Sequence, residues 1–283
     1  MTLTETNELA HGALAARAEA HFRDLQQRIC HAFEAFEPRS RFESRRWGKP
    51  AGHRLQGGGE SRLMRGEVFE KVGVNVSHVW GEFSPQARAQ VPGAEQSAGR
   101  FVACGISLVA HLCNPHVPAA HLNLRYLRTS REWFGGGSDL TPTFPIVEDT
   151  ELFHHALRGA CDTYRPEAYA EFKAWCDRYF YLPHRQEPRG VGGIFFDDLA
   201  SANAEADFAF VRAVGEAFLD VYPRIVARRK DTPYDEHDRE MLLLKRGRYV
   251  EFNLVYDRGT KFGFSTDADP EAYLMSLPPL VRW

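Results

Sequence analysis

The chain has 283 residues, of which 43% are hydrophobic, 12% aromatic and 26% charged, a balance that fits a folded globular protein and excludes disorder. With 35 Lys and Arg against 38 Asp and Glu the formal charge is −3, so there is no electrostatic footprint for nucleic acid or an anionic membrane, and an anionic ligand has to be met by locally gathered arginines. No apolar run spans a membrane, no signal core or transit pattern opens the chain, and five cysteines without a C-x-x-C suit reduced thiols in a cytoplasmic protein rather than a disulfide framework.

In chain order, segment 7–36 carries Leu14, Ala18, Leu25, Ile29, Phe33 and Phe36 at helical spacing and predicts an amphipathic helix. The glycine-rich stretch LQGGGESRLMRG at 55–66 lacks the lysine and serine of a phosphate loop and reads as a flexible loop. Strands follow at 71–79, 101–111 and 121–127. The last alternates Leu122, Leu124 and Tyr126 against His121, Asn123 and Arg125, and the proline-bearing connection 112–120 joins it to its predecessor as a hairpin. WFGGGSDLTP at 133–142 reads as a strand end and glycine loop. Helical spacing returns at 148–164 and 166–182, the second with Pro166 in its first turn. A short strand is expected within 189–199, and a long helix over 203–230 that Pro223 should kink or break. The segment 249–257 alternates strictly, with Val250, Phe252, Leu254 and Tyr256 opposite Tyr249, Glu251, Asn253, Val255 and Asp257, and predicts a strand. No linker or repeat divides the chain. The fold class is therefore α+β, a single domain over 1–283 with an antiparallel sheet and helices on its apolar faces.

Several of these strands carry polar residues opposite their apolar face: Asn75 and Ser77; Ser107 and His111; His121, Asn123 and Arg125; Glu251, Asn253 and Asp257. These sets hold no lysine and are rich in groups for aimed hydrogen bonds, which favours a shared polar cleft over a solvated surface. Arg125 and Arg258 are candidates to fork onto the carboxylates of a ligand, whereas Arg185 and Arg189 read as partners of the chain's own acids. His111, His121, His154 and His184 stand beside acids, so a two-histidine-one-carboxylate metal site is open to them. No H-E-x-x-H spacing supports it, and singly each reads as a structural or proton-transfer histidine.

The blocks GVNVSHVWGE (73–82), GISLVAHLCNPHVPAAHLNLRYL (105–127), WFGGGSDLTP (133–142), WCDRYFYLPHRQEPRGVGGIFFDDL (175–199), RGRYVEFNLVYDRGTKFGF (246–264) and LMSLPPLVRW (274–283) together resemble the oxygen-dependent coproporphyrinogen III oxidase family. The resemblance covers nearly the whole chain in the right order. It implies a curved antiparallel sheet flanked by helices, and the conversion of two propionates of coproporphyrinogen III to vinyl groups, giving protoporphyrinogen IX in haem biosynthesis. O2 is the electron acceptor and no organic cofactor takes part. It further implies a homodimer joined through the C-terminal region, with His121 as proton donor and Asp257 and Arg258 tied to catalysis. Ser107, Asn123, Leu124 and Arg125 would contact substrate, and His111, His121, His154 and His184 would be ligands of a divalent metal. A metal-dependent oxygenase and a tetrapyrrole carrier without turnover are the rival readings. The chain departs from the family after FGF, where an arginine-bearing turn is expected to contact substrate. Here the sequence reads STDADPEAY (265–273), with Asp267 and Asp269 in that place.

Overall fold

The computed structural model describes residues 12–89, 91–265 and 269–283. The first helix, α1 (Ala13–Glu34), presents Ala15, Ala18, Phe22, Leu25, Ile29 and Phe33 along one stripe, all buried. The beginning of its predicted span, 7–11, lies outside the described residues. Six strands follow: β1 (Glu43–Gly48), β2 (Leu55–Met64), β3 (Phe69–Glu82), β4 (Arg100–Leu112), β5 (Ala119–Arg128) and β6 (Glu132–Thr141), with a short helix α2 (Pro85–Arg88) between β3 and β4. Helices α3 (Val147–Asp162) and α4 (Ala168–Tyr179), then the small pair β7 (Tyr181–Leu182) and β8 (Glu187–Pro188), lead to β9 (Gly192–Leu199). The chain ends in helices α5 (Ala204–Arg229), α6 (Glu236–Val255), α7 (Arg258–Ser265) and α8 (Pro270–Tyr273), and a 3-10 turn at Leu274–Ser276.

Seven strands form one open sheet in the order β1-β2-β3-β4-β5-β6-β9, antiparallel throughout. The α+β expectation and the β4–β5 hairpin hold. One face of this sheet is the floor of the core: Val74, Val76, Ile106, Leu108, Leu122 and Leu124 are fully buried, and α1 and α5 pack on that side. Burying such a side chain fully is worth roughly 1.5–3 kcal/mol, so this face fixes the register of every strand. A slip of one residue would turn the opposite, polar face into the core.

Three expectations fail for physical reasons. Gly57, Gly58 and Gly59 lie in strand β2, not in a flexible loop, because aromatic rings cross them. A Cβ at Gly57 would fall 2.6 Å from the Trp80 ring, and one at Gly59 would fall 2.5 Å from that of Trp47. The glycines of 135–137 likewise belong to an unbroken β6. Pro223 does not break α5, although an interior proline costs about 3 kcal/mol. Phe218, Val221, Tyr222, Ile225 and Val226 on both sides of it are fully buried, and the Tyr222 hydroxyl donates to the Pro118 carbonyl at 2.9 Å. That anchorage outweighs the missing backbone bond.

The largest correction is at 249–257, which is not a strand. Asp235 and Asp238 form a capping box that starts α6, and once nucleated the helix runs on to Val255. Its buried positions Leu242, Arg246, Tyr249 and Asn253 follow the helical period. Gly247 lets the C-terminal tail cross the helix closely, since a Cβ there would meet the Arg282 carbonyl oxygen at 2.3 Å. Glu251 and Asn253, read as neighbours on one strand face, therefore point to different sides of a helix.

Candidate functional site

Antiparallel partners share a face, so the register places the polar residues together. Asn75 pairs with Ser107, Ser107 with Asn123 and Asn123 with Gly137, and Gly137 is opposite Phe195. The neighbouring row runs Gly59, Ser77, Gly105, Arg125 and Gly135. A third passes through Gly73, Val109, His121, Asp139 and Gly193. The result is a floor of small and polar side chains across the middle of the sheet. Ser107, His121, Asn123 and Arg125 are all half-buried on it, reachable from solvent but flanked by protein.

At one end of this floor the side chains are locked together. His121 Nδ1 lies 2.9 Å from Asp139 Oδ1, and Arg189 donates to Asp139 Oδ2 at 2.7 Å and to Asn253 Oδ1 at 3.2 Å. Asn253 in turn donates to the Ser276 hydroxyl at 3.1 Å, so α6 and the C-terminal turn are tied to the same chain of bonds. An ionised carboxylate only accepts, so Asp139 fixes the proton of His121 on Nδ1 and leaves Nε2 as the free ring nitrogen. Asp139 is buried, which by itself pushes its carboxyl up. Arg189 and His121 outweigh that and hold it below the usual carboxylate range. The Arg189 guanidinium is enclosed by the rings of Phe180, Tyr249 and Phe252, at 4.0, 4.5 and 4.7 Å from their centroids.

The other end is more open. Asp197 on β9 bridges two cations: Arg125 at 2.8 Å through Oδ1 and Arg258 at 2.6 Å through Oδ2. Arg125 also donates to Asn123 Oδ1 at 2.9 Å. Gly135 makes this possible, because a Cβ there would fall 2.5 Å from Asp197 Oδ1. Tyr179 stacks on Phe195 with centroids 4.3 Å apart and donates its hydroxyl to Asp257 Oδ1 at 2.9 Å. Asp257 Oδ2 accepts the Thr260 backbone N–H at 2.6 Å. Burial and then the Asp257 charge push the Tyr179 phenol up to about 12, so it stays a donor across the neutral range. Asp257 and Arg258 thus reach the site from the α6–α7 junction, not from a strand.

The four histidines considered as metal ligands do not converge. His111 is buried and bonds the Ser276 carbonyl at 2.9 Å; burial lowers its basicity to about 3, so it is neutral with its proton on Nε2. His154 on α3 bonds the Val191 carbonyl and the Tyr169 hydroxyl. His184, between β7 and β8, bonds Tyr256 and Glu251. Only His121 lies in the open part of the floor, and its Nδ1 is committed to Asp139. Among the described residues no three His, Cys, Asp or Glu side chains form a group that could hold a metal ion. The residues present do not fit one ion shared by these four histidines.

Other candidates sort clearly. Leu124 is fully buried on the core face, so its side chain is turned away from the floor. Glu251 faces outward to His184, Arg185 and Arg248, and the hydrogen bond from Arg185 leads in holding its carboxyl down at about 2. Arg185 and Arg189 do pair with the chain's own acids, yet Arg189 does so inside the site. Asp139, Asp197 and Tyr179 were missed. Their blocks were visible, but only strand pairing reveals that Asp139 stands opposite His121.

With the geometry in hand, the comparisons with known proteins are decisive. The coproporphyrinogen III oxidase family profile matches residues 17–283. The chain belongs to the coproporphyrinogen III oxidase family. Among curated relatives of this family, oxygen-dependent coproporphyrinogen-III oxidase of Rickettsia bellii is 52% identical over 271 residues, covering 93% of this chain and 95% of the relative. The protein of the same name from Rickettsia akari is 53% identical with the same coverage, and that of Rickettsia conorii 51%. No helix among the described residues is long and apolar enough to cross a membrane.

Proposed function

We propose that this chain is an oxygen-dependent coproporphyrinogen III oxidase of haem biosynthesis, one catalytic domain whose substrate lies on the polar face of the sheet. The observation that carries this reading is the meeting, on one floor, of an oriented histidine, two arginines and a carboxylate. Each propionate leaves as CO2 plus a vinyl group, giving up the equivalent of a hydride. Its two electrons and proton, with one further proton, reduce O2 to hydrogen peroxide.

The residues divide this work. Asp257 is the acceptor for inward pyrrole N–H groups, organising a flexible ring and favouring loss of an N–H proton to make the pyrrole electron-rich towards O2. Arg258 and Arg125 hold propionates by forking onto them, with Asn123 and Ser107 adding hydrogen bonds. Holding the reacting propionate at a fixed angle to the ring is the main contribution such a site makes. His121, its Nδ1 proton held by Asp139, presents Nε2 to the floor and exchanges the proton the balance requires. Leu124 acts only as a core residue beneath Asn123 and Arg125. The separation of the four histidines favours chemistry at the substrate itself over a shared histidine-bound ion.

The test is aerobic incubation with coproporphyrinogen III under exhaustive chelation. Protoporphyrinogen IX, CO2 and peroxide should form with consumption of O2. Loss of turnover restored by one divalent ion would support the metal-dependent oxygenase, and tight binding without O2 uptake would support a carrier.

We also propose a homodimer through the C-terminal region. Leu254, Val255, Phe264, Leu280 and Trp283 there are large apolar side chains with 44–67% of their surface exposed. Light scattering at micromolar concentration should give twice the chain mass, and a monomer mass would remove this reading.

A further inference from the structure

The floor has a second cationic end that the proposed roles leave unused. Arg45 on β1 pairs with Ser61, Ser61 with Asn75, Asn75 with Ser107 and Ser107 with Asn123. Arg45 and Asn123 therefore lie on one row and one face, four strand spacings apart, or roughly 19 Å between backbones. Arg45 on the edge strand β1 and the arginines of β5 and α7 thus flank the small residues Ser61, Asn75 and Ser77, of which Asn75 is bonded to the C-terminal segment. That is the spacing for a flat polyanion with carboxylates on opposite edges, lying across the floor.

The side chain of Arg45 is 55% exposed and forms an ion pair with Asp269. Asp269 belongs to the segment that closes this end, where Asn75 donates to the Ala272 carbonyl at 2.7 Å. The family resemblance leads one to expect a substrate-binding arginine within 265–273, and the sequence carries Asp267 and Asp269 there. A guanidinium does stand at this end, that of Arg45, and Asp269 is paired with it. Two residues along β1 on the same face, the Trp47 indole N–H is buried and finds no acceptor among the described residues.

We infer that Arg45 is a propionate-binding residue of this protein, replacing the arginine absent from 265–273, and that Asp269 holds its place until a ligand carboxylate displaces it. The Arg45 end of this pair is open to water, and such pairs contribute little to stability, so the exchange costs little. This inference rests on the proposed substrate site, deepens it and concerns a residue outside the sequence blocks that carry the family resemblance.

The experiment compares wild type with Arg45→Gln and Asp269→Asn. The readouts are turnover of coproporphyrinogen III and, independently, binding of the stable oxidised ring coproporphyrin III by fluorescence. Arg45→Gln should raise KM and Kd about tenfold, the loss of one charge-assisted contact, with kcat and melting temperature nearly unchanged. Asp269→Asn should lower both KM and Kd, because it frees the guanidinium. Opposite signs in the two variants separate ligand binding from a structural strut, which would weaken both alike. Wild-type Kd in Arg45→Gln, or equal losses in both variants, overturns the inference. If wild type binds the ring without turning it over and Arg45→Gln still weakens binding, the catalytic reading falls while the role of Arg45 stands.

Discussion

The two ends of the β5–β6 side of the floor use the same chemistry, arginine on aspartate, in opposite surroundings. The Arg189–Asp139 side chains are each 2% exposed and caged by aromatic rings, whereas Arg258, on Asp197, is 57% exposed. A buried pair cannot exchange partners without leaving an uncompensated charge, so it serves to orient His121. A pair open to water can give up its partner to a ligand carboxylate at little cost. Burial, not residue type, separates the positioning arginine from the binding one.

Breaking the closed end should give the largest effect. Arg189→Met leaves Asp139 as a buried charge without its main partner, and losses of this kind run to about 3–5 kcal/mol. Urea unfolding should show that drop, and Asp139→Asn in the same chain should recover much of it. A single variant as stable as wild type would mean that the closed end is not closed. Next in size is Asp257→Asn, which retains shape and the Tyr179 contact but removes the ionised acceptor. Turnover should fall on the order of 10²–10³, with a smaller change in KM. A folded variant with wild-type kcat would show that another group meets the pyrrole N–H donors.

Acid sharpens the contrast. The Asp139 carboxyl is held below its unfolded value of about 3.9, so its contribution is present above that pH and is lost as pH falls through the depressed folded value. Stability measured by urea midpoint should therefore decline in acid below about pH 4, and Asp139→Asn should flatten that decline. An unaltered acid limb would assign it to other carboxylates. The smallest effect belongs to Arg258→Lys. An ammonium cannot fork, so KM should rise several-fold while stability stays within about 0.5 kcal/mol of wild type. A large loss of stability would place Arg258 among the structural pairs.

The sequence by itself determined whatever depends on short-range periodicity: the strands β3, β4 and β5, the hairpin between the last two, the apolar stripe of α1, and the polar set Ser107, His121, Asn123 and Arg125 on one face. These were legible because alternation or helical spacing needs only neighbours in the chain, and because long blocks in order carry the family likeness. The tertiary structure decided the rest. It turned 249–257 into a helix, because nucleation at Asp235 lies outside the window in which those residues alternate. It kept α5 whole through Pro223 by packing on both sides of it. It also chose the partners: Asp139 for His121 is set by strand register across 18 residues, Asp257 for Tyr179 by docking of α6–α7 across 78, and Asp269 for Arg45 by the closing of the C-terminal segment over β1. A charged residue's role depends on which opposite charge the fold brings to it and how much water remains between them, and neither quantity is local in sequence.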